Sequence, residues 1–525
     1  MSRFQMYAGR SCNRRVPQTA TPPAGHGEET FRHSSIRFLR SLVFLALLIA
    51  VTALTVSAQK TDRDNLPGYS AVQPFSVYEF CKTLASPAYS GRLTGHAGFT
   101  AAAEWAAAQF KKWGLQPVNA ADGYLLPFPT EYTTVESAEM TLTAAGASTT
   151  AAEAKLEIGK DFLPLLFTDS GDQTGEVVFV GWGISAPELS YDDYAGMDVQ
   201  GKFALCFRGT PDPSEPRYTD HDQHRTRMKK AKEKGALGII YIYEEPIANP
   251  NGDWISGFTP AVISQKTADL ILKEKGLAAA NLRGDLTKYK RPLSFQTKTK
   301  LRVSVRSTHV AEGTGYNVAA WVEGSDPVLK NDYVIVGAHA DHTGTVMGIL
   351  FPGAEDNASG TAVAMEIGRI FAAMPKRPKR SVVIVLFGGE ESGLKGSEHF
   401  AGHLPAQLGK PVAMLNFDMV GAGDGMRCGY SENPPELKRI LDEADAVVKT
   451  VRAASPIRRI GVQSSDFAPF FRKGIPCLSF VSNGPHLSYH QSGDTIYRIN
   501  PDMLADAARI GFLTALRLAD AAGDR

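Results

Sequence analysis

Cysteine, charge imbalance, internal repeats and long apolar runs are all scarce in this chain of 525 residues. Of five cysteines, Cys81, Cys206, Cys428 and Cys477 lie far apart with no C-x-x-C spacing. That argues against thiolate metal binding, and a chain of this size needs no disulfide framework. They read as small buried hydrophobes. Lys and Arg number 56 against 55 acidic residues, a formal net charge of +1, so nothing points to nucleic acid or an acidic surface. The one long apolar run, from Leu42 to Leu54, is shorter than the roughly 20 residues a membrane helix needs.

That run follows Arg37 and Arg40 and precedes Val56-Ser57-Ala58. A long basic n-region, an apolar h-region and a small-residue site predict a signal peptide over 1–58, cleaved near Ala58. The mature protein is then exported, periplasmic or extracellular. A retained membrane anchor is the alternative, and no stable membrane partner is expected.

At 43% hydrophobic and 21% charged, the rest is globular and long enough for two or three domains. Residues 59–75 read as a linker. Gly98–Trp113 shows helical spacing of Phe99, Ala102, Ala106, Phe110 and Trp113. From about Thr130 the texture changes to short β-like runs and turns. The polar stretch holding Asp220, His221, Asp222 and His224 reads as solvated surface. Beyond about residue 310 apolar runs alternate with helical patterns. Tyr333–Val336, Ser381–Phe387, Val412–Phe417 and Cys477–Val481 read as strands. Thr361–Ala373, Pro435–Thr450 and Pro501–Ala519 read as helices. This alternation predicts an α/β fold with a mixed, mostly parallel sheet flanked by helices.

Polar groups follow the strands. His339 and Asp341 end the first, Glu390 and Glu391 follow the second, Asp418 the third, and His490 lies beyond the fourth. Asp356 sits in the loop before a helix. Ligands of open α/β sheets bind at that carboxyl edge. His339, Asp356, Glu391, Asp418 and His490 supply two imidazoles and three carboxylates, a set suited to Zn, Mn or Co. Five side chains exceed one catalytic zinc but fit two metals about 3.5–4 Å apart if one carboxylate bridges. Glu390 then faces the water as acid and base. Asp341 is placed to accept the far N–H of His339, and Asp494 that of His490. His342, His399, His403 and His486 are expected at the surface or beside ligands.

The segments HAD, AEDNASG, FGGEESGLKGS, NFDMVG and YHQSGDT, in that order, resemble the di-zinc aminopeptidases of peptidase family 28, clan MH. The likeness covers about 76–130 and 310–525, a peptidase domain of zinc-exopeptidase-like fold. Between them, 131–309 resembles a β-rich protease-associated domain, in GEVVFVGWGI, YDDYAGMDVQGKFALCFRG and KAKEKGALGIIYI. The resemblance implies two zinc ions, one on His339 and Asp418, the other on Glu391 and His490, with Asp356 bridging. It implies Glu390 as general base, Tyr489 as a group that polarises the scissile carbonyl, and a cis peptide after Asp356. Peptides with a free N-terminus would be substrates. Two departures from family text, the loop after His339 and Ser465-Asp466-Phe467, are expected to bear on specificity without touching a ligand. Other classes remain open: a single-zinc acyltransferase like glutaminyl cyclase, or a non-catalytic binding protein of peptidase fold.

Overall fold

The run Ser381–Phe387, SVVIVLF, is buried at every position, the mark of a strand covered on both faces. The computed structural model describes residues 66–119, 123–146, 153–458 and 465–521. The expected signal peptide therefore lies outside the described residues. Among the described residues no helix is long and apolar enough to cross a membrane.

We label the strands β1 Leu125–Thr143, β2 Phe162–Pro164, β3 Gly171–Val180, β4 Phe203–Phe207, β5 Gly238–Tyr243, β6 Ala261–Ser264, β7 Ser294–Val322, β8 Asp332–His339, β9 Ser381–Phe387, β10 Lys410–Phe417, β11 Met426–Tyr430, β12 Val451–Pro456 and β13 Cys477–Ser482. They form one continuous sheet in the order β12-β11-β13-β10-β8-β9-β7-β3-β4-β5-β6-β2, with β1 off this path and paired to β7. In the part built mostly from residues beyond 310, β9, β8, β10 and β13 run parallel, flanked by antiparallel β7 and β11. From β8 the chain goes to β9 on one side and then to β10 on the other. The strand order thus reverses around β8, and the crevice at its carboxyl end is where such sheets bind ligands.

Alternate residues of the central strands feed two cores. Val334, Val336, Val382 and Ile384 pack with helices Pro74–Leu84, Ala97–Trp113, Gly360–Ala373 and Pro501–Asp520. Tyr333, Ile335, Val383 and Val385 face Phe400 and Phe470, from helices Lys395–Gly402 and Phe467–Arg472. All four described cysteines are buried and unbridged.

Residues 131–309 contain more than β-structure. There β3, β4, β5 and β6 are parallel, with helices His224–Glu233 and Gln265–Leu272 between strands. The expected boundaries near 130 and 309 both fall within strands. β1 and β7 pair antiparallel from Leu125↔Val318 to Thr143↔Lys300, a ribbon running from one part into the other. Nor is the 220–224 stretch simply solvated. His224 is buried against Tyr241 and Asn249, and Asp222 pairs with the fully buried Arg227.

Candidate metal centre

Four strand ends deliver the polar groups. β8 ends at His339, whose carbonyl accepts the Thr361 hydroxyl at 2.6 Å. Gly388-Gly389 lead from β9 into Glu390, whose backbone N–H donates to Asp341 Oδ1 at 3.2 Å. Asp418 follows β10 directly. The loop beyond β13 presents His490, in the left-handed region at φ 54°. Asp356 lies in an irregular turn before helix Gly360–Ala373, and the Asp356–Asn357 peptide is cis, as the resemblance implies. Asn357 ties this turn to the Asp418 loop. Its amide donates to Phe417 O at 2.9 Å, and its Oδ1 accepts Met419 N at 3.0 Å.

These residues converge in two groups that share one member. The ligand atoms of His339, Asp356 and Asp418 lie within 4.8 Å of one another, as do those of His342, Asp356, Glu391 and His490. Asp356 splits its oxygens between them. Oδ1 is 3.4 Å from His339 Nε2, and Oδ2 is 3.3 Å from His490 Nε2. On the first side Asp418 Oδ1 is 3.3 Å from His339 Nε2; on the second, Glu391 Oε2 is 2.9 Å from His490 Nε2. His490 Nε2 makes no aligned hydrogen bond to either carboxylate. Asp418 and the neighbouring Glu390 are partly exposed while the remaining candidate ligands are buried, so the site opens on their side.

The electrostatics are those of a cation site. Burial opposes protonation of His339, yet Asp418, Glu390 and Asp341 hold its imidazole well above its usual range. Burial is likewise outweighed at His490, where Glu391 and Asp356 raise the imidazole to about 10. Burial pushes the Glu390 carboxyl well up; His339 opposes this, while Glu391, Asp466 and Asp418 add to it. A buried excess of carboxylate that draws protons onto imidazoles is neutralised equally well by divalent cations. The oxygen and imidazole donors suit zinc, so the residues present fit two such ions.

Three expectations change. Asp494 does not serve His490, whose Nδ1 has no partner. Its oxygens accept the backbone amides of Glu355 and Asp356 at 2.9 and 3.0 Å, so it shapes the turn that presents Asp356. Both departures from family text touch ligands after all. His342 Nδ1 lies 2.8 Å from Glu391 Oε1, and the Ser465 hydroxyl donates to Asp418 Oδ2 at 2.6 Å while accepting from Asn416. Asp341 lies beside His339, but the ring's Nδ1 meets its backbone carbonyl at 3.2 Å while its Oδ1 stands off at 3.7 Å. The ring of Tyr489 stacks on His490 at 3.9 Å and is half exposed. His486 lies near Glu355, and His399 and His403 stack on each other; none joins either ligand group.

Residues 317–514 match the model of peptidase family M28. The matched residues include every candidate ligand, Glu390 and Tyr489. An aminopeptidase of Pseudomonas aeruginosa is 27% identical over 66% of this chain and 63% of its own length. Aminopeptidase YwaD of Bacillus subtilis is 28% identical over 62% of this chain and 65% of its own. The chain thus spans about six-tenths of the length of the curated relatives it matches. Among solved structures, the aminopeptidase from Aneurinibacillus sp. strain AM-1 superposes with a TM-score of 0.59 at 22% identity, covering 86% of this chain and 95% of that one. A zinc aminopeptidase from Bacillus subtilis gives 0.59 at 19% identity, over 86% and 97%. These likenesses establish the α/β fold, a mostly parallel sheet flanked by helices.

Nothing in the sequence singles out Arg92. Its guanidinium is fully buried and donates to the carbonyls of Ala340, Leu84, Pro352 and Gly353 at 2.7–2.9 Å. It thereby fastens the His339–Asp341 turn to the loop before Asp356. Arg92→Ala would leave four buried carbonyls without their donor and is expected to cost about 4 kcal/mol or more. Denaturant unfolding of the chelator-treated protein measures that loss.

Proposed function

We propose that the chain is an exported, zinc-dependent aminopeptidase that hydrolyses N-terminal residues from peptides with two co-catalytic ions. The observation that carries this reading is Asp356, with one oxygen turned to each histidine group. His339 and Asp418 would hold one ion and Glu391 and His490 the other, with Asp356 between. When bound, the ions would polarise the scissile carbonyl and make hydroxide available near neutral pH.

The remaining work falls to this chain's own side chains. Glu390, at the open side and outside both ligand groups, takes the proton from the attacking water. It returns that proton to the leaving amine as the C–N bond breaks, so a carboxylic acid and a free amine form. Tyr489 steadies the carbonyl oxygen through its hydroxyl. Asp341 holds both the His339 ring and the backbone at Glu390, so base and ligand move as one piece. A cavity of about 270 Å³ beside Tyr489, lined in part by Met419, Pro485 and Leu487, has room for the side chain of the departing residue. We read 131–309 as a protease-associated domain and 1–58 as a cleaved signal peptide. Sequencing the mature N-terminus should find it near residue 59.

Aminoacyl-nitroanilides test the activity. Hydrolysis by the zinc-loaded protein, its loss with chelator, and two ions per chain are expected. Turnover indifferent to chelator, or absent from protein holding both ions, overturns the reading.

A further inference from the structure

Among the described residues, two hydrogen bonds join the inserted part to the loops that carry Glu391 and His490. The Ala248 backbone N–H donates to the carbonyl of His490 at 3.0 Å. Arg225 Nη2 donates to the carbonyl of Ser392, the residue after Glu391, at 2.9 Å. Arg225 is itself braced within the insert. Its Nε reaches Asp253 Oδ1 at 2.7 Å and its Nη1 reaches Asn251 Oδ1 at 3.0 Å. The guanidinium lies flat against Gly393, where φ is 98° and a β-carbon would stand 2.7 Å from both terminal nitrogens. Ala248, Asn251 and Asp253 share one loop between β5 and β6, and Arg225 opens the helix His224–Glu233 beside it.

Glu391 and His490 belong to one ligand group, with His342 and the shared Asp356. The other group is secured within the peptidase-like part. Thr361 holds His339, and Ser465 with Asn416 holds Asp418. Among the described residues, Arg225 and Ala248 bond to the Glu391 and His490 loops and to neither of these. His490 also sits in left-handed backbone, which for a non-glycine residue persists only when its surroundings enforce it.

We propose that the insert is a clamp for one cation. Through Arg225 on the Glu391 loop and Ala248 on the His490 loop, it sets the affinity of the Glu391–His490 site and leaves the His339–Asp418 site largely alone. This rests on the two-cation reading above. Arg225 is a positioning residue, acting on Glu391 through the Ser392–Gly393 backbone. Partners that orient ligands from behind typically contribute 10–100-fold in metal affinity. A lysine has the charge but a single donor point, so it cannot span Ser392, Asn251 and Asp253 together.

The test is zinc retention by the full mature protein under graded chelator, for wild type, Arg225→Ala and Arg225→Lys. Wild type should hold two ions. Arg225→Ala should release one of them at about tenfold lower chelator strength, with the second unmoved and Arg225→Lys between. In a His339→Ala background, Arg225→Ala should weaken the remaining ion by the same factor. Excess zinc should restore kcat of Arg225→Ala, which a generally distorted fold would not allow. If wild type binds a single ion, the two-cation reading fails and the clamp with it. If wild type binds two, and Arg225→Ala loosens neither or loosens both in step, the clamp alone is overturned.

Discussion

Replacing Glu390 by Gln is expected to lower kcat by roughly 10²–10⁴-fold, the range general acid–base groups contribute, while zinc content stays at the wild-type value. The amide has the shape of the carboxyl but cannot take a proton from water. Glu390 belongs to neither ligand group, so its loss leaves every candidate metal contact in place. Its backbone N–H, not its side chain, meets Asp341, so the loop geometry also survives. KM should therefore move little, because the change acts on the transition state more than on the bound substrate. Kinetics on an aminoacyl-nitroanilide, with metal analysis of the same sample, separate this outcome from simple metal loss. Turnover within a few-fold of wild type would remove Glu390 from the role of base.

What was legible follows from where each residue acts. β9 matches its sequence expectation residue for residue, because a strand buried on both faces writes an uninterrupted apolar run. β1 and β7 were not seen at their full length. Their outer stretches alternate buried and exposed positions, so no uninterrupted apolar run marks them. β12 is mostly exposed and carries little apolar signal. In the site, His339, Asp356, Glu391, Asp418 and His490 were readable because metal ligands must be a few residue types, placed at strand ends. Arg92 and Ser465 work through other groups instead. Arg92 meets only backbone carbonyls, one of them at Ala340, 248 residues away. Ser465 reaches Asp418 across 47 residues. A partner so distant leaves no spacing to read. His342 did offer a signal, three positions after His339 on the same loop, but nothing in its neighbourhood says which ligand it meets. Asp494 was placed near the centre for the right reason and given the wrong partner. A carboxylate beside a histidine in sequence is free to satisfy backbone amides instead, and here two were waiting at Glu355 and Asp356.

Asp356→Asn should leave at most one zinc bound and reduce turnover by on the order of 10³-fold or more, the scale on which losing transition-state charge stabilisation is felt. A carboxylate offers an anionic oxygen to each side; an amide offers one neutral oxygen and turns an NH2 toward the other ion. The effect on stability should invert with metal. In chelated wild type, Asp356, Glu391 and Asp418 crowd one buried space and keep extra protons on the histidines. Removing one negative charge there should raise the melting temperature of the metal-free variant above that of metal-free wild type. With zinc present the order reverses. An ion held at 100 times its dissociation constant adds about 2.7 kcal/mol, and the variant forgoes at least one such increment. The pH dependence has a definite sign. His490 titrates near 6.5 unfolded and near 10 in the metal-free fold. Its stabilising contribution is therefore complete below about 6.5 and lost as pH climbs towards 10. Metal-free wild type should melt lower at pH 9 than at pH 7. The variant, with one fewer carboxylate holding that proton, should show a shallower fall. Melting curves of both proteins, with zinc and with chelator at the two pH values, read all of this at once. Two firmly held zinc ions in Asp356→Asn would contradict the shared-aspartate arrangement outright.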